Sequence, residues 1–371
     1  MNDILSAFVR DLRTLVSIDS GSYDAAGVNK VADVMADRLG DLGFTIERTT
    51  LSPDLGDLVV GRRPGSGPRV LLLAHMDTVF GPGTAAVRPF LIQDGRAYGP
   101  GVCDDKAGLV AGLLAAALAP EAELTFCCSP DEEIGAPGSR EAIEKLAREA
   151  DYVLSLECAR ENGDLVIARK GITDVTLTVR GRAAHAGIEP ERGADAALAA
   201  AHLVVGLDQL DGLAPGVTVN AGVIRAGTRP NVVAAEAVIE VEVRAHAVRD
   251  LDAALAAIDR LAARSPVPDT SVLVERAAAC PPMEATPASL AMLALAADIA
   301  AELGFPLAGA ATGGIGDANL ASGTGTPTLD GLGPVGGGDH SDDEWLDLSS
   351  VEPRITLLAS LIRRLPPTEN P

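Results

Sequence analysis

The chain has 371 residues, more than one compact core usually holds, so a large domain with a smaller companion is expected. Its formal net charge of -22 excludes nucleic acid as a partner, because phosphate binding needs clustered Lys and Arg, and reads most simply as a well-solvated surface. No apolar run reaches membrane-helix length, since the stretch Ala107–Ala119 is too short and is closed by Pro120, so no membrane role is expected.

The first twenty residues place Asp3, Arg10, Asp11 and Arg13 on a helical pattern, unlike the basic start and unbroken apolar stretch of a secretory signal. The five cysteines lack framework spacing, which argues for a reducing compartment. Both features point to a cytoplasmic protein.

In chain order, Ile4, Leu5, Phe8, Val9, Leu12, Leu15 and Val16 mark one helix face, and Val28, Val31, Met35, Leu39 and Leu42 mark a second. Short strands follow at about 44–50, 57–62 and 69–74, then a helix from Asp105 to about Ala119. Strands at about 123–128 and 152–157 flank a helix at about 138–150. This alternation predicts an α/β sheet covered on both faces. From Ile172 to Arg276 the order is strand (about 173–180), helix (192–210), strand (217–225), strand (232–244), helix (248–264), strand (270–276), a ferredoxin-like α+β unit. Helical pattern resumes at 287–303 and closes at 349–364. The expected division is a catalytic domain of residues 1–171 and 277–371, interrupted by an inserted domain of residues 172–276. The Gly- and Pro-rich stretch Gly323–Gly338 reads as an active-site loop.

Five short segments carry candidate chemistry. The strand RVLLLA ends in His75-Met76-Asp77, and residues two apart on extended backbone face one side. An imidazole suits zinc, and a neighbouring carboxylate can fix its tautomer; a lone strand-end histidine is more often structural. In GPGVCDDKAG, glycines permit a tight turn before Asp104 and Asp105. Adjacent buried carboxylates need cations, yet either aspartate can also N-cap the helix that follows. Ser129-Pro130-Asp131-Glu132-Glu133 ends the strand ELTFCC, Glu157 closes YVLSLE, and His340 lies in GGGDHSDDEW. A surface turn, a common strand-end acid and a solvated loop histidine are the bland readings of these three. Charge favours the joint reading. Three carboxylate ligands and a bridging hydroxide balance two divalent ions, with two neutral histidines completing the shell, whereas the same cluster without metal repels itself. Cys103, Cys158 and the pair Cys127-Cys128 read as packing residues. No motif surrounds His202 or His246, and both read as structural.

The ordered segments HMDTV, GPGVCDDKAG, SPDEEIG, Glu157 and His340 resemble the dinuclear-zinc metallopeptidase family of glutamate carboxypeptidases, aminoacylases and succinyl-diaminopimelate-type deacylases. The run ATGGIGDANLASGTGTPTLDGLGPVGGGDHSDDEW is most similar to the carboxypeptidase G type. The resemblance implies a zinc-peptidase catalytic domain, with a central mixed sheet between helices, and an inserted lid and dimerisation domain. It implies two zinc ions per subunit, with cobalt or manganese as possible substitutes. His75 and Glu157 would bind one ion, His340 and Glu133 the other, and Asp104 would bridge them. Asp77 would orient His75, and the Asp104–Asp105 bond is often cis in such proteins. Glu132 would be the general base, taking a proton from water between the ions and returning it to the leaving nitrogen. A confined, partly dry cleft must then raise its pKa.

In the inserted domain, His185 in RAAHAG matches a residue that stabilises the oxyanion across a homodimer, and Asn231 in RPNVV one that also acts across it. Arg244 in VEVRAH matches a residue that grips a substrate carboxylate, which suits its two-pronged guanidinium. An exposed turn histidine and a strand-face ion pair are the competing readings. Gly313 and Gly314 would let backbone amides approach that carboxylate. The expected activity is release of a C-terminal amino acid, glutamate among the candidates, from a small peptide or N-acyl amino acid. Deacylase or dipeptidase action on the same scaffold is the alternative, and a non-catalytic binding protein is a further one.

Overall fold

The computed structural model describes residues 2–264 and 267–367. They form two compact units, one of residues up to Ala168 with Ala285–Thr312 and from Gly316 on, the other of Arg169–Glu284 with Gly313–Ile315.

The first unit is built on a six-stranded mixed sheet in the order Thr45–Thr50, Asp57–Arg63, Ala122–Ser129, Ser66–His75, Tyr152–Ser155, Thr328–Leu329. The first three strands pair antiparallel, and the last four run parallel to one another. Strand Ser66–His75 sits inside the sheet, and its run Val70–Leu73 is buried throughout, as a strand covered on both faces should be. Beside it lies helix Lys106–Leu118, whose sequence KAGLVAGLLAAAL is apolar on nearly every side. It packs against helices Asn2–Val16 and Leu348–Arg364. Gly108 and Gly112 let it lie close to the sheet. A Cβ at Gly108 would stand 2.2 Å from the Leu156 carbonyl oxygen.

The second unit is a four-stranded antiparallel sheet in the order Thr218–Ala226, Glu236–Ala245, Gly171–Arg180, Ser271–Arg276, with helices Ala196–Asp208 and Val248–Ala262. This is the ferredoxin-like order. Its period-2 pattern is clean: Val175, Leu177 and Val179 of one strand and Ile239, Val241 and Val243 of the next enter one core. The first helix begins at Ala196, not 192, because Asp195 caps it by accepting from the amides of Ala197 and Leu198. The strand expected from 232 begins at Glu236.

Several short strands escaped the sequence reading. Leu91–Gln93, Arg96–Tyr98, Trp345–Asp347 and Gly336–Gly337 form a small sheet, and Gly309–Thr312 pairs with Leu165–Arg169. Strands of two or three residues are too short to show a period. The stretch read as the loop Gly323–Gly338 therefore contains two strand segments, Thr328–Leu329 and Gly336–Gly337. Among the described residues, no helix is long and apolar enough to cross a membrane.

Candidate metal centre

The site collects at the carboxyl ends of the parallel strands, where open α/β sheets place their ligands. His75 is the last residue of its strand and is 1% exposed. Its Nδ1 lies 3.0 Å from the Asp77 carbonyl oxygen and 3.4 Å from that residue's Oδ1, so the aspartate fixes the ring from behind. Nε2 is left to face inward, 2.8 Å from Asp104 Oδ1 and 3.6 Å from Glu157 Oε1.

The second histidine approaches from the other side. His340 lies in the loop after Gly336–Gly337 with φ +61°, a left-handed conformation uncommon for a non-glycine residue. Its Nε2 is 3.2 Å from Asp104 Oδ2 and 3.0 Å from Glu133 Oε2. The two oxygens of Asp104 thus each face a different imidazole, and each imidazole has one further carboxylate of its own.

Asp104 is held by its backbone. Glu344, 1% exposed, accepts from the amides of Gly101 (2.8 Å), Cys103 (2.7 Å) and Asp104 (3.1 Å). The Asp104–Asp105 bond is cis. Asp105 occupies the N-cap position of helix Lys106–Leu118 without a side-chain capping bond. Its buried carboxylate instead turns toward the site. Oδ2 accepts from the His75 amide at 3.4 Å, Oδ1 has no partner, and Asp105, His75 and Glu157 form a compact triad.

Glu132 and Glu133 form a short turn of helix after Asp131. Asp77 places them as well as His75: its Oδ1 accepts from the Glu132 amide at 3.1 Å, and its Oδ2 from the Glu133 amide at 3.2 Å and the Ser22 hydroxyl at 2.7 Å. Asp131 turns away and accepts from Ser139 and the Gly138 amide, so it shapes the turn.

Electrostatics follow from this crowding. Burial alone would lower His75, but Asp104, Asp77 and Glu157 outweigh it and hold the ring well above its ordinary pKa. Bonds to Asp104 and Glu133 push His340 up to about 11. Asp104 is pulled below the usual range because the two imidazoles overcome its burial. Burial pushes Glu132 well up, with Glu157, Asp317 and Asp104 adding to it against the pull of His75. Asp317, which accepts from Ser129 Oγ at 2.5 Å, rises to about 7 by burial. A cluster that binds protons this firmly is one that lacks positive charge, and a pair of divalent cations would supply it. Imidazole nitrogens and carboxylate oxygens are the donors zinc takes in such centres, so the residues fit the metal.

Beside Glu133 a groove of about 420 Å³ opens, lined by Tyr23, Val79, Phe80 and Ile134 among others. The remaining expected residues belong to the second unit. His185 and Asn231 are both exposed and lie on adjoining segments, since the Ala186 amide donates to the Asn231 carbonyl at 3.0 Å. Arg244 forks onto Glu242 at 2.8 and 3.1 Å and reaches the Gly313 carbonyl at 3.0 Å, which is the strand-face ion pair weighed against its carboxylate role. The carbonyls of Gly313 and Gly314 accept from Arg244 and Arg169. Sequence reasoning offered Asp105 as a helix cap or as one of a cation-neutralised pair, and gave no role to Asp317 or Glu344. Of those two, only Glu344 carried a signal, as the last acid of the run that contains His340.

A carboxylate shared by two imidazoles, each with its own acid and with a half-buried glutamate alongside, has the donor set that a two-metal hydrolytic centre would need. Residues 71–364 match peptidase family M20/M25/M40, and the chain belongs to that family. It is 34% identical over 370 residues to carboxypeptidase G2 of Pseudomonas sp. (strain RS-16), covering 97% of this chain and 89% of the relative. It is 30% identical over 273 residues to N-acetyl-L-citrulline deacetylase of Xanthomonas campestris, covering 69% and 71%. In fold it is similar to the aminopeptidase PepT of Bacillus cereus, with TM-score 0.81, 24% identity and coverage of 96% and 98%. The family metallo-carboxypeptidase Sso-CP2 of Sulfolobus solfataricus gives TM-score 0.73 at 14% identity, with coverage of 96% and 98%. The protein is a metallopeptidase or amidohydrolase whose cofactor is a pair of zinc ions.

Proposed function

We propose that this hydrolase releases a C-terminal amino acid, glutamate among the candidates, from an N-acyl or peptidyl substrate. The observation that carries the reading is Asp104, whose two oxygens face His75 and His340 separately while Glu132 lies half-buried beside them. In this reading His75 and Glu157 would hold one ion and His340 and Glu133 the other, with Asp104 shared between them. When bound, the ions supply Lewis acidity and make water a nucleophile near neutral pH.

The chain's own residues do the rest. Asp77 keeps the His75 Nδ1 proton pointed away from the site, which leaves Nε2 free as a donor atom. The Glu132 carboxylate takes a proton from the attacking water at an oxygen kept basic by burial, then gives it to the departing amine nitrogen. The groove beside Glu133 gives room for the acyl part of the substrate. The second unit acts as lid and dimerisation domain. Its His185 and Asn231 serve the partner's site in a cytoplasmic homodimer, and Arg244, with Gly313 and Gly314, receives the substrate carboxylate after exchanging Glu242 for it.

The resemblance to carboxypeptidase G2 supports the carboxypeptidase reading, and the relative named as a deacetylase supports N-acyl amino acid deacylation as the second. Hydrolysis rates on a panel of N-acyl amino acids and dipeptides test them. The proposal expects the highest kcat/KM on N-blocked substrates with a free C-terminal carboxylate. Activity on free-amine dipeptides alone would sink it.

A further inference from the structure

Cys103, Cys158 and Asp339 each sit one position from a residue of the metal pair: Asp104, Glu157 and His340. Neighbouring side chains on open backbone point apart, so the three meet in a cluster of their own. Their ligand atoms lie within 4.8 Å of one another. The Cys158 thiol donates weakly to the two oxygens of Asp339, at 3.8 and 3.9 Å, a spacing close to that of two ligands on one ion. Two thiolates and a carboxylate around one tetrahedral zinc, at the usual bond lengths, would be about 3.8 Å apart sulfur to sulfur and about 3.6 Å sulfur to oxygen.

We propose that Cys103, Cys158 and Asp339 form a further cation site, thiolate-ligated and separate from the carboxylate–imidazole pair, for a borderline-soft divalent ion of the zinc type. Three of its features suit a site. Cys103 is buried, Cys158 partly exposed and Asp339 exposed, so an ion enters from the Asp339 side and a water completes the tetrahedron. Gly336 leaves the space that Cys103 needs, because a Cβ there would stand 2.2 Å from its sulfur. Charge also balances. Loading expels the two thiol protons, leaving three negative charges, which the ion and the buried guanidinium of Arg354, acting electrostatically on Cys158, bring close to zero. Arg354 is fixed for this by donating to the carbonyls of Gly163, Gly331 and Gly333. Soft thiolates select such an ion over magnesium or calcium.

The test uses the full chain, stripped of metal and reloaded with cobalt(II). The ions per chain are counted by mass spectrometry of the metal, and the near-ultraviolet is scanned for thiolate-to-cobalt charge transfer. Nitrogen and oxygen ligands give no such band, so the result stands apart from the fate of the two-ion reading. The expected outcome is three ions and a thiolate band in the parent chain, with both the third ion and the band lost in Cys158→Ser and in Cys103→Ser. Asp339→Asn, a change at an exposed side chain, should keep the band and weaken cobalt binding about 10-fold or more. Two ions and no band in the parent, or a band that survives in the double cysteine variant, would overturn the proposal. So would a freshly reduced chain whose two thiols close into a disulfide in preference to taking up the ion.

Discussion

The carboxylate of Asp77 holds the backbone amide of Glu132 at 3.1 Å. The same side chain orients His75 and anchors Glu133, so one buried acid sets three parts of the site at once. Asp77→Asn keeps the shape but replaces an anionic acceptor with an amide. It should lower metal affinity about 10–100-fold and reduce kcat with it, read by metal titration against a competing chelator. An unchanged affinity would remove the positioning role.

Glu132→Gln removes the proposed proton carrier and leaves the proposed ligands in place. Metal content should stay at the parent level while kcat falls about 100- to 10,000-fold or more. The measurement pairs steady-state rates with metal counted on the same sample. Full activity in this variant would falsify the proposed general base.

Metal uptake should be strongly pH-dependent. Without metal, His340 titrates at about 11 and His75 is raised well above its ordinary value, because Asp104 and the neighbouring acids hold the protons. A histidine with a raised folded pKa contributes stability that is complete below its unfolded pKa of about 6.5 and is lost as pH rises toward the folded one. Metal competes for the same nitrogens, so its apparent affinity should rise with pH across that window. Calorimetry at neutral pH in two buffers of different ionisation enthalpy should show protons released on loading. Equal heats in both buffers would contradict this.

Gly108→Ala should reverse the usual sign. In an exposed helix the change stabilises by about 1 kcal/mol. Here the new methyl would lie 2.0 Å from Asp105 Oδ1 and 2.2 Å from the Leu156 carbonyl oxygen. The helix must move off the sheet, at a cost of about 1–3 kcal/mol or more. Urea unfolding followed by circular dichroism reads the shift.

Glu344→Ala would leave the buried amides of Gly101 and Cys103, and the part-buried amide of Asp104, without their acceptor. At about 1–3 kcal/mol for each unsatisfied group, the loss should exceed about 3 kcal/mol. Glu344→Gln retains an acceptor oxygen and should recover part of it, so the pair of variants separates the hydrogen bonds from the charge. Equal stability of the two would mean that the amides find other partners.

The sequence alone was enough for whatever is local. Alternation at Val175, Leu177 and Val179 announced a strand with one buried face, and the order of helices and strands around it announced the ferredoxin-like unit. Ordered motifs placed His75, Asp104, Glu133, Glu157 and His340 in one group by resemblance. Convergence was decided elsewhere. That Asp104 divides its two oxygens between imidazoles from distant parts of the chain depends on strand register and on Glu344 clamping a loop some 240 residues away in sequence. Asp105 looked like a helix cap and became a buried acid facing His75. Cys103 and Cys158 looked like packing and meet each other beside Asp339. Periodicity reports which face of an element is apolar, and residue type reports what chemistry a side chain can do. Which side chains share a few ångströms of buried space is fixed only when the elements pack, because burial and charge are properties of the assembled neighbourhood.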